Sequence, residues 1–226
     1  YYATINSARA LLAEHGAPVQ PVEAPPAQPV VAPRSSGARR DLVIGLAKEI
    51  DAKNLAVFAA SLRQTTTNCD LVLFVDRPSI DRTLNTIVER FQVDLVPYDP
   101  ATLQPPQLRK FHASTLRWPL ISRELDRRRS RNYRGVLFAD VRDTAFQSDP
   151  FGAMLTTQQV FYGFNGVESR TIGECGWNGG WIRDCFGEAK RRKLSAKPIV
   201  CSGVSIATFE AGRLYAAQMA EVVSDS

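Results

Sequence analysis

The stretch VLFADVRDTAFQSDPF, residues 136–151, places an apolar run directly before Asp140, Arg142 and Asp143. A short run that is apolar throughout is typical of a central strand covered on both faces of a sheet. In parallel α/β sheets, ligands gather outside the carboxyl ends of the strands. The stretch therefore predicts a buried strand that ends at a polar binding site.

The rest of the chain alternates short apolar runs with amphipathic segments. The apolar runs predict strands over 41–47, 70–76, 93–98, 135–139, 160–164 and 198–207. Helical spacing of apolar residues predicts helices over 53–64, 79–91 and 113–129, and a last helix that ends at Val223. In the helix over 113–129, we expect the leucines to face inward and the arginines outward. This order of elements predicts an α/β fold.

The chain has 226 residues, of which 44% are hydrophobic, and this is enough for one domain with a substantial core. Residues 17–38 are rich in proline and alanine and contain almost no apolar side chain larger than valine, so they cannot offset the entropy of ordering. We therefore expect residues 1–40 to form a largely disordered linker or stem, and residues 41–226 to form the folded domain.

The formal net charge is +5, and the basic residues concentrate in 123–134 and 190–193. Such runs suit nucleic acid, an anionic membrane surface or a phosphorylated small molecule, and they also occur on solvated helix faces. A non-catalytic RNA-binding or scaffold domain is therefore one alternative. The run lacks the interleaved aromatic side chains that stack on single-stranded bases, so nucleic acid is not the expected partner.

Asp51, Asp76, Asp140 and Asp143 all follow predicted apolar strands, so they can converge on one crevice. Two carboxylates there suggest a site for Mg²⁺ or Mn²⁺, since these ions complete their shell with water and substrate phosphates. The alternative is that Asp140 and Asp143 cap the turn after the strand by accepting backbone hydrogen bonds. Spacing alone leaves both interpretations open.

Several blocks of the sequence resemble nucleotide-diphospho-sugar transferases with the GT-A fold. Residues 136–151 are similar to their strand and DxD segment, in the branch that reads D-V-R-D followed by F-Q-x-D-P-F. Further similar blocks cover 41–64, 111–125, 177–187 and 199–219. The resemblance implies a glycosyltransferase, either hexosyl or pentosyl, with a Rossmann-like, mixed and mostly parallel sheet flanked by helices. It also implies that the domain is truncated at its carboxyl end.

The resemblance assigns catalytic roles to Asp140, Arg142 and Asp143. Asp140 matches the first DxD aspartate, near the ribose or the metal, whereas Arg142 stands where the motif has its second acid. Either Asp143 turns in to coordinate Mn²⁺ or Mg²⁺ together with Asp140, or Arg142 itself compensates the charge of the diphosphate. We favour the metal held through Asp143.

The resemblance also implies two partners, a nucleotide-diphospho-sugar donor and a glycan or protein acceptor. Seven residues match its donor-binding positions, namely Ala47, Lys48, Asp51, Arg117, Cys201, Ser202 and Gly203. Three more match the acceptor side, namely Trp177, Asn178 and Trp181, where indole faces suit sugar rings and where packing of two apolar side chains is the alternative. A membrane anchor upstream and a Golgi or secretory-pathway lumen are expected in a eukaryote, and a cytoplasmic location in a bacterium.

A haloacid dehalogenase-type phosphatase is a second enzymatic alternative, because its nucleophile motif is also a strand that ends in D-x-D. Here the motif is one residue longer, as Asp140 to Asp143, and it follows a late strand rather than the first one. Both features count against this alternative.

Overall fold

The computed structural model describes residues 39–76, 81–152, 161–165 and 170–224, so the linker predicted over 1–40 lies almost entirely outside the described residues. The strands are β1 (Asp41–Leu46), β2 (Cys69–Val75), β3 (Val93–Pro97), β4 (Gly135–Ala139), β5 (Phe161–Asn165) and β6 (Val200–Thr208). The α-helices of this part of the chain are α1 (Ala52–Thr65), α2 (Arg82–Phe91), α3 (Ala113–Arg127), α4 (Gly176–Leu194) and α5 (Phe209–Ser224).

The six strands form one sheet in the order β3-β2-β1-β4-β6-β5. The strands β1, β2, β3 and β4 pair in parallel, whereas β6 runs antiparallel to both β4 and β5. The predicted α/β class and the mixed, mostly parallel sheet are confirmed. The chain order reverses between β1 and β4, because β2 and β3 lie on one side of this pair, and β6 and β5 lie on the other.

Helices cover both faces of the sheet. On one face α3 and α5 pack against the side chains of alternate strand residues, including Leu42, Ile44, Val136 and Phe138. On the other face α1 packs against the residues in between, and its buried side chains are Leu55, Phe58, Ala59 and Leu62. The central strand β4 is buried along its whole length, as its unbroken apolar sequence predicts.

The helix α2 begins later than the periodicity predicts. Its first residue is Arg82, because the Asp81 carboxylate caps the helix by accepting a hydrogen bond from the Leu84 N–H at 2.8 Å. Residues 79 and 80, with which the prediction began, lie outside the described residues. In the part of the chain that is described, no helix has the length and apolar character that a bilayer span requires.

The amino ends of the strands are joined by an ionic cluster that we call the amino-end network. It consists of charged and phenolic side chains from the first residues of the strands and from the end of α3, namely Arg40, Asp41, Asp70, Asp94, Glu124, Arg128, Tyr133 and Arg134. Because these groups pair with one another at the start of the sheet, the network ties four strands together.

The prediction that the arginines of α3 face outward is wrong for two positions. Arg117 in α3 and Arg128 just after it are both buried. Arg128 lies between the carboxylates of Glu124 and Asp94, which satisfy its donors. Helical spacing pairs Glu124 with Arg128, but it could not reveal the acids from other elements, which are Asp94 in β3 for Arg128 and Asp140 after β4 for Arg117.

Candidate functional site

The candidate site lies at the carboxyl edge of the sheet, beyond β1 and β4. These neighbouring strands run in parallel, with Leu42 beside Val136 and Ile44 beside Phe138. In open α/β sheets, ligands bind in the crevice outside the strand ends where the strand order reverses. We call the two segments that flank this crevice, residues 47–51 after β1 and residues 140–143 after β4, the switch-point rim.

The two strands approach each other closely just before the rim. A Cβ atom on Gly45 would lie 2.4 Å from the carbonyl oxygen of Ala139, a distance that no side chain tolerates. Glycine is therefore required at this position, because any larger residue would push β1 away from β4. The close approach brings the two segments of the rim next to each other.

Asp140 is held at the rim from two sides. Its backbone N–H donates to the carbonyl oxygen of Gly203 in β6 at 2.7 Å, and its carboxylate accepts a hydrogen bond from the guanidinium of Arg117. The Arg117 side chain is only 5% exposed and stacks over the ring of Trp118, with its Cζ 4.9 Å from the ring centroid. The Asp140 side chain is 35% exposed, so a buried cation orients a carboxylate that faces solvent.

Arg142 spans the switch-point rim. Its Nη2 donates to the carbonyl oxygens of Lys48 and Glu49, each at 3.0 Å. The N–H of Glu49 donates to Oδ1 of Asp76, the residue after β2, at 2.9 Å. Glu49 itself has a φ of 51°, a left-handed conformation that a non-glycine residue adopts only when its surroundings hold it there. The ends of β1, β2 and β4 are thus tied together through one turn.

Asp143 lies at the exposed surface of the rim, and partial burial by neighbouring atoms raises the pKa of its carboxyl group. Within the described ranges, no cluster of three or more histidine, cysteine, aspartate or glutamate side chains could hold a metal by itself. Mg²⁺ needs only one or two protein carboxylates when substrate phosphates and water supply the other ligands. Asp140 and Asp143 carry carboxylates of the type that such a donor set uses, so their chemistry fits a metal that arrives with a diphosphate.

The other predicted donor residues lie on or beside the rim. Ala47 is buried and donates its N–H to the carbonyl oxygen of Phe74, whereas the Lys48 side chain is about half exposed. Asp51 caps α1, since its carboxylate accepts from the backbone and side-chain N–H groups of Asn54. Gly203 contacts Asp140 through its backbone, and Cys201 and Ser202 precede it in β6.

The predicted acceptor residues lie on the segment between β5 and β6, which we call the excursion and of which the structure describes residues 170–199. Asn165 pairs with Val200 where the excursion leaves and rejoins the sheet. Because β6 is antiparallel to β4, this point lies at the same carboxyl edge as the switch-point rim. Trp177 and Trp181 in α4 are 75% and 60% exposed, with ring centroids 6.0 Å apart. The side-chain amide of Asn178 donates a hydrogen bond to the Cys175 sulfur at 3.2 Å.

Sequence patterns gave no reason to select Tyr98, which follows β3 at the same edge. Its hydroxyl group is buried and makes no hydrogen bond to a described residue. Burial raises the pKa of Tyr98 to about 12, with further contributions from Asp76 and Glu49. Its position as the last residue of the strand predicted over 93–98 was its signal in the sequence. A small apolar pocket near this edge is lined by Ala47, Ile50, Leu55, Leu73, Val75, Asp76, Leu84 and Leu95.

The arginine run contributes mainly to the protein's own structure. Arg128 is buried between two carboxylates, Arg127 pairs with Glu124, and Arg134 pairs with Asp41 at 2.6 Å. Guanidinium groups engaged in this way are poor ligands for nucleic acid phosphates, because binding would break the existing pairs. The structure therefore does not favour the RNA-binding alternative.

No protein-family model and no curated protein sequence matches the chain. Among solved structures, three glycosyltransferases show a likeness at 13% sequence identity. Core-mannan synthase A of Aspergillus fumigatus, in a form with Mn and GDP, gives a TM-score of 0.49 over 86% of this chain and 67% of its own. The bifunctional glycosyltransferase WbbM gives a TM-score of 0.49 over 84% of this chain and 35% of its own.

The third structure is the galactosyltransferase LgtC in complex with donor and acceptor sugar analogs, with a TM-score of 0.44 over 82% of this chain and 65% of its own. The chain thus spans between about one third and two thirds of the length of these proteins. Likenesses of this size do not assign a function, so the geometry of the switch-point rim has to support one.

Proposed function

We propose that this chain transfers a sugar from a nucleoside-diphosphate donor to an acceptor hydroxyl group, with the diphosphate bound at the switch-point rim. The observation that carries the proposal is Asp140, a partly exposed carboxylate held by buried Arg117 at the point where the strand order reverses. This crevice is where open α/β sheets bind nucleotides. The resemblance of the D-V-R-D segment to GT-A transferases supports the same assignment.

In the proposed reaction, the acceptor oxygen forms a bond to the anomeric carbon while the bond from that carbon to the diphosphate oxygen breaks. The acceptor hydroxyl loses its proton, and the nucleoside diphosphate leaves with the bonding electron pair. Negative charge grows on the leaving group, so electrostatic stabilisation at the rim supplies most of the rate. A Mg²⁺ or Mn²⁺ ion held by Asp140 and Asp143 would neutralise that charge.

We propose that the acceptor, a glycan or a protein, approaches from the excursion between β5 and β6. Trp177 and Trp181 support this direction, because their exposed indole rings can stack on sugar rings. The donor-binding roles of Ala47, Lys48, Asp51, Cys201, Ser202 and Gly203 remain predictions. So do the location, which is the Golgi or secretory lumen in a eukaryote or the cytoplasm in a bacterium, and the anchor upstream.

Nucleoside-diphosphate binding tests the proposal directly. We expect UDP or GDP with Mn²⁺ to raise the melting temperature, because a ligand at 100 times its Kd stabilises a protein by about 2.7 kcal/mol. The substitution Asp140→Asn should weaken the binding measured by calorimetry at least about tenfold, since a charge-assisted contact is lost.

A matched control is Asp126→Asn, which removes an exposed carboxylate of α3 that pairs with Arg213. This variant should bind the diphosphate like the unmodified protein. The melting temperature of each variant without ligand shows that it is folded. Equal binding by folded Asp140→Asn protein, or no diphosphate binding by the unmodified protein, would show that the proposed function is wrong.

A further inference from the structure

We infer that Arg142 is a positioning residue, which fastens the segment after β4 to the turn after β1 and so fixes one wall of the donor site. The inference rests on the proposed function, because the occupant of that wall is the nucleoside part of the donor. It replaces the role considered for Arg142 from the sequence, that of a cation which compensates the charge of the diphosphate.

The contacts of Arg142 are directed at protein atoms. A single nitrogen, Nη2, reaches two successive carbonyl oxygens, those of Lys48 and Glu49, across more than ninety residues of sequence. Both oxygens belong to the turn between β1 and α1, which has no strand partner of its own. A guanidinium that donates to two carbonyl groups stabilises a backbone conformation, because each oxygen accepts a charge-assisted hydrogen bond.

The turn that Arg142 contacts contains a residue in an unfavourable backbone conformation. Glu49 has a φ of 51°, and a side chain with a Cβ atom disfavours this region. The Asp76 carboxylate accepts a hydrogen bond from the Glu49 N–H, so both backbone polar groups of Glu49 are hydrogen-bonded to side chains. If either hydrogen bond were lost, the φ angle of Glu49 would relax toward negative values and the turn would change its conformation.

The wall that the turn forms is next to groups that can recognise a nucleoside. The carboxylate of Asp76, after β2, accepts the Glu49 N–H, and Tyr98 follows β3 at the same edge. The conformation of the turn therefore affects the affinity for the base and ribose, because their binding depends on the shape of this wall. If Arg142 instead contacted the phosphates, its contribution to ligand affinity would increase with each phosphate group of the ligand.

The number of phosphates separates the two roles. We propose to measure the affinities of the nucleoside, its monophosphate and its diphosphate, using whichever of uridine or guanosine the unmodified protein prefers. Arg142→Ala should weaken all three by a similar factor, about tenfold, because the hydrogen bonds it loses are to the protein. In a transferase assay the effect should fall on the donor KM, with kcat nearly unchanged.

A second substitution provides a rescue that a phosphate-binding role would not show. Glycine populates positive φ readily, so Glu49→Gly should restore affinity about threefold in the Arg142→Ala background. The matched control is Asn132→Gly, because Asn132 also has a positive φ, of 53°, but lies at the amino-end network. That change should restore nothing.

Hydrogen exchange tests the contact itself, independently of any ligand. The amides of residues 48–51 should exchange faster in Arg142→Ala than in the unmodified protein, and Asp76→Ala should have the same effect. If the protein binds no nucleotide but this exchange changes, the proposed function fails and the contact stands. Unchanged exchange, or a loss of affinity that grows from nucleoside to diphosphate, would overturn the inference.

Discussion

Arg117 is a cation in the protein interior, and Asp140 at the end of β4 is the carboxylate that it contacts. Burying a guanidinium is costly unless a carboxylate compensates it, and the Trp118 ring covers its other face. The same contact fixes the direction of the carboxylate at the switch-point rim. One ion pair therefore serves both the stability of the fold and the geometry of the candidate site.

Substitution of Arg117 should show this dependence. We expect Arg117→Met to lower the free energy of unfolding by about 2 kcal/mol, because Asp140 loses a charged partner in a half-buried position. Adding Asp140→Asn should recover most of the loss, since an amide without the arginine leaves no unpaired charge. Urea denaturation of the single and double variants measures the coupling.

The control for this cycle is Arg123→Ala, which removes an exposed arginine of α3 whose guanidinium donates a hydrogen bond to the carbonyl oxygen of Gln104. Its cost should stay within about 0.5 kcal/mol. Simple addition of the losses of Arg117→Met and Asp140→Asn would contradict the coupling.

The contact between β1 and β4 decides where the two segments of the rim meet. The sequence predicts both strands well, because each is an apolar run that is buried on both faces. It does not predict their adjacency, since strand order depends on pairing between residues more than ninety positions apart. The glycine within β1 is a sequence signal for close backbone approach, and the structure supplies its partner, Ala139.

A methyl group at this position should separate the strands. We expect Gly45→Ala to lower the free energy of unfolding by about 2 to 3 kcal/mol, because the added Cβ meets a backbone oxygen that cannot rotate away. Chemical denaturation measures this loss, and diphosphate binding by the folded fraction should weaken as well.

The substitution Gly152→Ala is a suitable control for this prediction. The nearest atom to its added Cβ is the Asp149 carbonyl oxygen at 3.6 Å, an ordinary contact distance. Its stability should therefore stay close to that of the unmodified protein. A similar loss in both variants would mean that the close approach of β1 and β4 is not what limits position 45.

Across the whole molecule, the two edges of the sheet have different chemistry. At the amino edge, the amino-end network pairs its charges with one another, and Arg128 and Glu124 are almost inaccessible to solvent, at 3% and 6% exposure of their side chains. At the carboxyl edge, the polar side chains of the switch-point rim are partly or fully exposed, with Asp140 at 35% and Lys48 at 47%. Stability is thus concentrated at the edge away from the candidate site.

The amino-end network should make stability depend on pH. Burial acts to raise the pKa of Glu124, but hydrogen bonds from Arg127 and Arg128 outweigh it and hold the pKa below its ordinary value of 4.5. The unfolded chain therefore binds a proton more readily, so this contribution is complete above pH 4.5 and is lost as pH falls through the lower, folded-state pKa.

Glu124→Gln tests the effect. We expect it to cost about 3 kcal/mol at pH 7, since Arg128 remains buried with one charge fewer around it. The difference from the unmodified protein should shrink as pH falls below 4, measured by urea denaturation at each pH. Glu210→Gln, which removes an exposed carboxylate near Arg213, should cost little at any pH. A penalty for Glu124→Gln that does not vary with pH would contradict the expectation.

The sequence predicts features that depend on interactions between residues close together in the chain, and it does not predict those that depend on distant residues. Periodicity depends on local burial, so it located the strands and the buried side of α1 within one or two residues. The pair of Arg128 with Glu124 has helical spacing, but the other partners of Arg117, Arg128 and Arg142 are carboxylates or carbonyl groups from other elements, so no local pattern contains them. The antiparallel direction of β6, which brings Gly203 to Asp140, is likewise a property of the assembled sheet.

The pairing of Asn165 with Val200 has a consequence for how this protein can diverge. A peptide that departs from a sheet and returns at neighbouring residues can be lengthened, shortened or exchanged at little thermodynamic cost, because closing a longer loop adds only slowly to the entropy. If this segment receives the acceptor as proposed, changes confined to it would alter acceptor choice and leave the switch-point rim as it is.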